Sequence, residues 1–243
     1  AGHHAARAAA RGMVGIVAAN CGAQRIARPP GGRVAMLGTN PLSIAAPAGG
    51  EHPFVLDMST TAVPTGRVRA AARAGASIPE GWLADDAGHP VTDPAAFDRG
   101  EAHLMWLGGA GHGAYKGFGL GVAVEILAAL VSGAALGPAP AALDGDGGPS
   151  GRDDEIGLVF IVIAPGALRP PGEVERDAQG LFGALLACPP VAGGEPVRYP
   201  GWHEAERART CERHGVPLAA AVYDELAAVG RSLGLTGPAR REP

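Results

Sequence analysis

A single lysine, Lys116, stands in a chain whose other nineteen basic residues are all arginine. It lies in a glycine-dense stretch that includes Gly109, Gly111, Gly113, Tyr115, Gly117 and Gly119. An ammonium is a compact, strongly hydrated point charge rather than a planar fork, and it can hydrogen-bond ribose hydroxyls or neutralise a phosphate. A solvated lysine on a flexible loop is the competing reading of the same residues. A second cluster is Asp57, Met58, Ser59, Thr60 and Thr61, where a carboxylate and three hydroxyls gather at the end of an apolar stretch. That carboxylate could orient a ribose or an imidazole, or cap the helix that follows. Gly38, Thr39, Asn40 and Pro41 read as a tight turn, and turn chemistry alone explains them.

Other chemistries find little support. Cys21, Cys188 and Cys211 are odd in number and contain no C-x-x-C pair, which argues against zinc and fits a reducing compartment. Of the eight histidines only His112 lies in the glycine stretch, and none pairs with a cysteine or carboxylate at ligand spacing, so no metal site is expected. A nucleophile elbow, a Walker loop and an H-E-x-x-H motif are all missing. Gly109, Gly111 and Ala114 give a G-x-G-x-x-A spacing, but such spacings arise freely among 39 glycines. No acidic residue follows about 20 positions on at the end of a second strand, as a Rossmann unit requires.

The elements that must position these residues follow from pattern and punctuation. At 243 residues and 47% hydrophobic content the chain suits one large domain or two small ones, with a sizeable core. The 39 glycines and 22 prolines separate apolar blocks, as turns do in a packed protein. A net charge of −4 leaves no basic footprint for nucleic acid or an anionic membrane. The longest apolar stretch, residues 120 to 131, contains Glu125 and is shorter than the ~20 residues that cross hydrocarbon, so it reads as a buried helix. Residues 1 to 11 show no secretory leader, and an Ala-rich start without Met predicts a chain that begins inside a longer protein.

The pattern predicts a helix over 5 to 10 closed by Gly12, a buried strand over 14 to 19, and a loop over 21 to 33. Strands over 42 to 46 and 54 to 56 flank a Pro/Gly connection suited to a hairpin, with Asp57 closing the second. A helix over 67 to 74 precedes an ordered, helix-free excursion over 78 to 94. A strand over 104 to 107 leads through a glycine loop over 108 to 121 into a helix ending near Gly133. A flexible connection over 136 to 154 comes before a β-branched strand over 157 to 164. Helices over 174 to 186, 203 to 214 and 219 to 233 complete the chain, and the hairpin-like neighbours predict a mixed or antiparallel sheet.

Read in order, Leu37-Gly38-Thr39-Asn40-Pro41-Leu42, Val55-Leu56-Asp57-Met58-Ser59-Thr60, Gly66-Arg67-Val68, Ile78-Pro79-Glu80-Gly81-Trp82 and Thr92-Asp93-Pro94 form a set. Tyr115-Lys116-Gly117-Phe118-Gly119-Leu120, residues 161 to 165, Tyr199-Pro200-Gly201 and His214-Gly215-Val216-Pro217-Leu218 extend it along the chain. In order and spacing the set resembles the type-2 malate/L-lactate dehydrogenase family. The resemblance implies reduction of 2-oxo acids or related imines, or oxidation of 2-hydroxy acids, with NAD or NADP. Malate, lactate, sulfolactate and ureidoglycolate dehydrogenases, diketogulonate reductase and piperideine-carboxylate reductase belong to that family.

The resemblance also implies an α/β mixed fold, a mainly antiparallel sheet wrapped by helices, with a non-Rossmann cofactor site in a cytoplasmic homodimer. Residues 1–165 would form the NAD(P)-binding and dimerising core, and residues 166–243 a helical segment completing it. Carried over position by position, cofactor contacts fall on Cys21 (a Ser in most members), Asp57, Met58, Ser59, Lys116, Gly201, Trp202 and His203. Asp57 also takes a catalytic place on the site floor, and Thr39 and Asn40 take the substrate wall. The family's acid/base histidine and substrate-binding arginine align before Ala1, with His3 and His4 too far along the helix to replace the former. The implied reading is thus an oxidoreductase, and the alternative is a truncated, inactive remnant that folds, dimerises or only binds nucleotide.

Overall fold

The computed structural model describes all residues except Ala110, Gly145, Asp153, Pro238 and 240–243, and the side chain of His112 also lies outside the described residues. The chain divides into two compact units, Ala1–Pro200 and Gly201–Pro243. In the first, helix α1 (Gly2–Ala9) lies on a four-stranded sheet of β1 (Val14–Ala19), β2 (Leu42–Ala46), β3 (Phe54–Met58) and β7 (Leu158–Ile163). The strand order is β3-β2-β1-β7 and every pairing in it is antiparallel.

Small residues let α1 approach this sheet closely. A Cβ on Gly15 would fall 2.8 Å from the Ala5 carbonyl oxygen and 2.9 Å from Ala8 Cβ. Ala5, Ala9, Val17 and Ala45 then close the layer as one buried cluster. A larger cluster gathers Val63, Val68, Ile78, Leu83, Phe97 and Leu104, and full burial of such side chains is worth about 1.5–3 kcal/mol each. It joins α2 (Thr65–Arg73) and α3 (Ala95–Asp98) to a small antiparallel sheet of β4 (Leu83–Ala84), β5 (Pro90–Val91) and β6 (His103–Leu104).

Helix α4 (Ala114–Val124) continues without a break into a π-helical segment, Glu125–Leu130. A helix α5 (Glu173–Leu186) follows β7 and sets Phe182 4.8 Å from the Tyr199 ring. The second unit holds α6 (Trp202–His214) and α7 (Ala220–Ser232).

Several sequence expectations change. The glycine stretch is not a loop throughout, because α4 begins at Ala114 and Lys116, Gly117, Gly119 and Gly121 are all helical. The reason is close packing: a Cβ on Gly117 would fall 2.5 Å from the Leu107 nitrogen and oxygen, and one on Gly121 2.8 Å from the Trp106 ring. Asp57 does not close β3, since it pairs with Ser43 inside the ladder and Met58 follows opposite Leu42. Asp57 is no helix cap either, as α2 starts after Pro64. Residues 120 to 131 form a helix buried on one side only, with Ile126, Leu127, Leu130 and Val131 exposed. The connection expected to be flexible carries a 3-10 turn, Pro140–Leu143, and exchanges two backbone hydrogen bonds between Ser150 and Arg25.

Candidate functional site

Strand β1 runs into Asn20 and Cys21, and β2 is entered through the turn Gly38, Thr39 and Asn40. Both ends meet, with Cys21 Sγ 3.7 Å from Thr39 Oγ1. A Cβ on Gly38 would fall 2.5 Å from that sulfur and 3.0 Å from Asn40 Oδ1, so only glycine fits between them. Asn40 is fully buried and adopts a φ of +38, in the left-handed region that Asn tolerates better than most residues.

The exit of β3 joins the same place. Thr60 donates through both its N–H and its Oγ1 to the Thr39 carbonyl, at 2.9 and 3.0 Å. The chain of contacts then passes to the lysine helix: the Leu107 N–H donates to the Thr60 carbonyl at 3.0 Å, and the Gly117 N–H donates to the Leu107 carbonyl at 3.1 Å. The segment after Asp57, Met58 and Ser59 therefore abuts the segment that carries Lys116. Ser59 turns its hydroxyl back to the Thr61 carbonyl, at 3.0 Å.

Lys116 lies in the first turn of α4, exposed to solvent and without an ion pair among the described residues. Gly113 caps this helix without a side-chain hydrogen bond, and its first turn holds no acid. A cation sits here at the positive end of the helix dipole, which by itself is unfavourable. Gly109 and Gly111, at φ of +69 and +72, have open space where a Cβ would stand, so the backbone before the helix is approachable. An anion bound at this helix N-terminus would offset both the dipole and the ammonium. The loop histidine singled out by sequence, His112, has a side chain outside the described residues.

Asp57 stands about half exposed, one carboxylate oxygen 3.8 Å from the Ala1 nitrogen. A Cβ on Gly2 would fall 2.5 Å from its other oxygen, so the carboxylate is pressed against the start of α1. Gly201, Trp202 and His203 begin the second unit. Gly201 precedes α6 in a left-handed conformation, and Trp202 and His203 form its first two positions.

Two participants, Glu125 and Asn20, were missed at the level of sequence, and both belong to the hydrogen-bond network around Asn40. Glu125 is buried and accepts a hydrogen bond from Asn20 Nδ2 at 3.1 Å and another from Asn40 Nδ2 at 3.0 Å. Asn40 Nδ2 also donates to the Gly121 carbonyl at 2.9 Å. Asn20 completes the set, donating to the Ala135 carbonyl at 2.7 Å and accepting from the Gly157 N–H at 2.8 Å. The available signal was one carboxylate inside an apolar run, and nothing local connects it to asparagines 85 and 105 residues away.

Antiparallel strands covered by helices, and a lysine-bearing helix N-terminus linked through Leu107 and Thr60 to the exit of β3, describe a mixed α/β protein with a polar site. Residues 1–227 match the family model described as Malate/L-lactate dehydrogenase, and the chain belongs to that family. Malate dehydrogenase of Pyrococcus horikoshii is 42% identical over 135 residues, 55% of this chain and 36% of that protein. The (2R)-3-sulfolactate dehydrogenase (NADP(+)) of Chromohalobacter salexigens is 34% identical over 94% of this chain and 62% of its own length. The crystal structure of malate dehydrogenase from Entamoeba histolytica superposes with a TM-score of 0.84 at 26% identity, covering 98% of this chain and 66% of that one. The chain thus spans about a third to two thirds of the length of these relatives.

Proposed function

We propose that this chain is the dinucleotide-binding part of an NAD- or NADP-dependent oxidoreductase that interconverts a 2-hydroxy acid and a 2-oxo acid. The observation that carries the proposal is Lys116, an ammonium without an ion pair among the described residues, in the first turn of a helix that has no side-chain cap and lies beside open glycine backbone. That set suits a diphosphate, whose charge would satisfy helix, backbone N–H groups and ammonium together. It needs no Rossmann crossover, in keeping with the all-antiparallel main sheet. The reading draws further support from relatives named as malate and sulfolactate dehydrogenases, both enzymes of 2-hydroxy acids.

The nicotinamide, when bound, supplies or accepts the hydride. This chain's residues bind and orient. Lys116 and the start of α4 hold phosphate or ribose, while Met58, Ser59 and Cys21 line the approach to them. Thr39 and Asn40 wall the substrate side. Asp57 forms the floor, where its half-exposed carboxylate can fix a ribose hydroxyl or the tautomer of an imidazole brought beside α1. The family resemblance would also give Gly201, Trp202 and His203 cofactor contacts. The reaction also needs a cation paired with the substrate carboxylate and a general acid/base on the hydroxyl proton, the latter worth about 10²–10⁴ in rate. We place the whole protein in the cytoplasm as a homodimer.

Titration with NADH and NADPH, followed by nucleotide fluorescence, tests the binding step. Lys116→Ala should weaken the preferred dinucleotide by about 1.5–3 kcal/mol, the worth of a hydrogen bond to a charged group. Equal affinity in the variant would overturn the assignment of Lys116. A panel of 2-oxo acids and a cyclic imine carboxylate, run with each reduced cofactor on the protein as its gene encodes it, tests the reaction. Loss of absorbance at the nicotinamide band with none of them would sink it.

A further inference from the structure

We infer that Glu125 is a positioning residue that couples the Thr39–Asn40 turn to the helix carrying Lys116, and so sets the geometry in which a dinucleotide is held. The inference rests on the cofactor reading above and adds to it a buried group that touches no ligand.

A carboxylate accepts hydrogen bonds and an asparagine amide offers two N–H groups on one side and one oxygen on the other. Both hydrogens of Asn40 are engaged, one by Glu125 Oε1 and one by the Gly121 carbonyl. Because both partners are acceptors, the amide has one orientation only, and Oδ1 is directed away from them, toward Gly38 and Cys21. That oxygen is buried and has no hydrogen-bond partner among the described residues. Glu125 therefore fixes both the left-handed turn residue and the direction of its acceptor.

The second oxygen does the same for the end of β1. Asn20, held by Glu125 Oε2, ties the residue before Cys21 to Ala135 and Gly157. One side chain thus registers β1, the turn into β2 and the strand β7 entry against a single helix. The helix changes form at the same residue: the π-helical segment starts at Glu125, and Val131 N–H donates to the Ile126 carbonyl five residues back. Such π segments are uncommon and concentrate at functional sites. A Cβ on Gly137 would fall 3.2 Å from Glu125 Oε1, so the carboxylate is backed closely as well.

Lys116 precedes Glu125 by nine residues, roughly 13 Å along the helix, too far for contact. Any influence of one on the other must pass through the placement of α4. Glu125→Gln keeps the shape but turns an N–H toward a donating asparagine, which forces one amide to flip or separate. A double-mutant cycle in the 243-residue chain measures the consequence, with Kd for NADH and NADPH read from fluorescence well below the melting temperature of each variant. Glu125→Gln should weaken binding about tenfold or more, and far less in the Lys116→Ala background, because groups acting through one geometry are not additive. Asn40→Gly, whose backbone suits the same φ, removes the same hydrogen bond and substitutes for Glu125→Gln if that variant does not fold. A lower melting temperature with unchanged Kd, or equal losses with and without Lys116, would overturn the positioning role. Failure of the parent chain to bind either dinucleotide would instead overturn the cofactor reading, and this inference with it.

Discussion

His103 and Asn40 own the two buried side-chain atoms that lack a hydrogen-bond partner among the described residues, Nδ1 in the first and Oδ1 in the second. Their consequences differ because only one of them titrates. Burial and then the nearby Arg28 guanidinium hold the His103 imidazole below its ordinary value, while Asp86 and Asp85 act weakly the other way. The unfolded chain, with a histidine near about 6.5, takes up the proton first as the pH falls. Folding stability should therefore decline from about that pH downward and level off once the depressed native value is passed. Urea midpoints between pH 7.5 and 5.5, above the range of the carboxylates, should fall for the parent chain and stay flatter for His103→Gln. Parallel pH profiles for the two proteins would show that the imidazole does not carry the dependence.

Helix α4 shows at the scale of an element why the same residue type has opposite values at neighbouring positions. Glycine in a helix interior costs about 0.8–1.0 kcal/mol against alanine, which is why the stretch around Lys116 reads as a loop in sequence. Gly119 faces open space, so Gly119→Ala should stabilise the chain by about that amount. Gly117 meets backbone of Leu107 and Thr60, so Gly117→Ala should destabilise it by about 1–3 kcal/mol, as overpacking does, and shift Lys116. Chemical denaturation of the pair checks the sign at each position, and a gain at both would mean that the Gly117 contact relaxes freely. Strands β1 and β2 were legible because their apolar residues are short runs bounded by turn formers, and the carboxylate and lysine stood out as single charges. The helical start of α4 was hidden because its glycines answer to backbone on Leu107 and Thr60, and Glu125 was hidden because its partners are far away in sequence. Propensity is local; both of these constraints are tertiary.

For the whole molecule, the sheet order leaves β7 at an edge, its outer backbone groups facing no strand among the described residues. Leu158, Phe160, Ile161, Val162 and Ile163 are all exposed there, a combination that soluble proteins rarely leave uncovered. Among the described residues no helix is long and apolar enough to cross a membrane, so lipid-spanning helices do not account for this surface. A second copy related by a two-fold axis would present the same strand to itself and cover both edges at once, the usual geometry of a homodimer. Val162→Lys places a charge on that strand, one residue before its end, while its backbone pairing with Gly15 is unchanged. If the strand is the dimer contact, sedimentation should show the parent chain as a dimer and the variant as a monomer with the same nucleotide affinity. A variant that stays dimeric would move the interface elsewhere, and one that loses nucleotide binding together with dimerisation would make the site dependent on the partner copy.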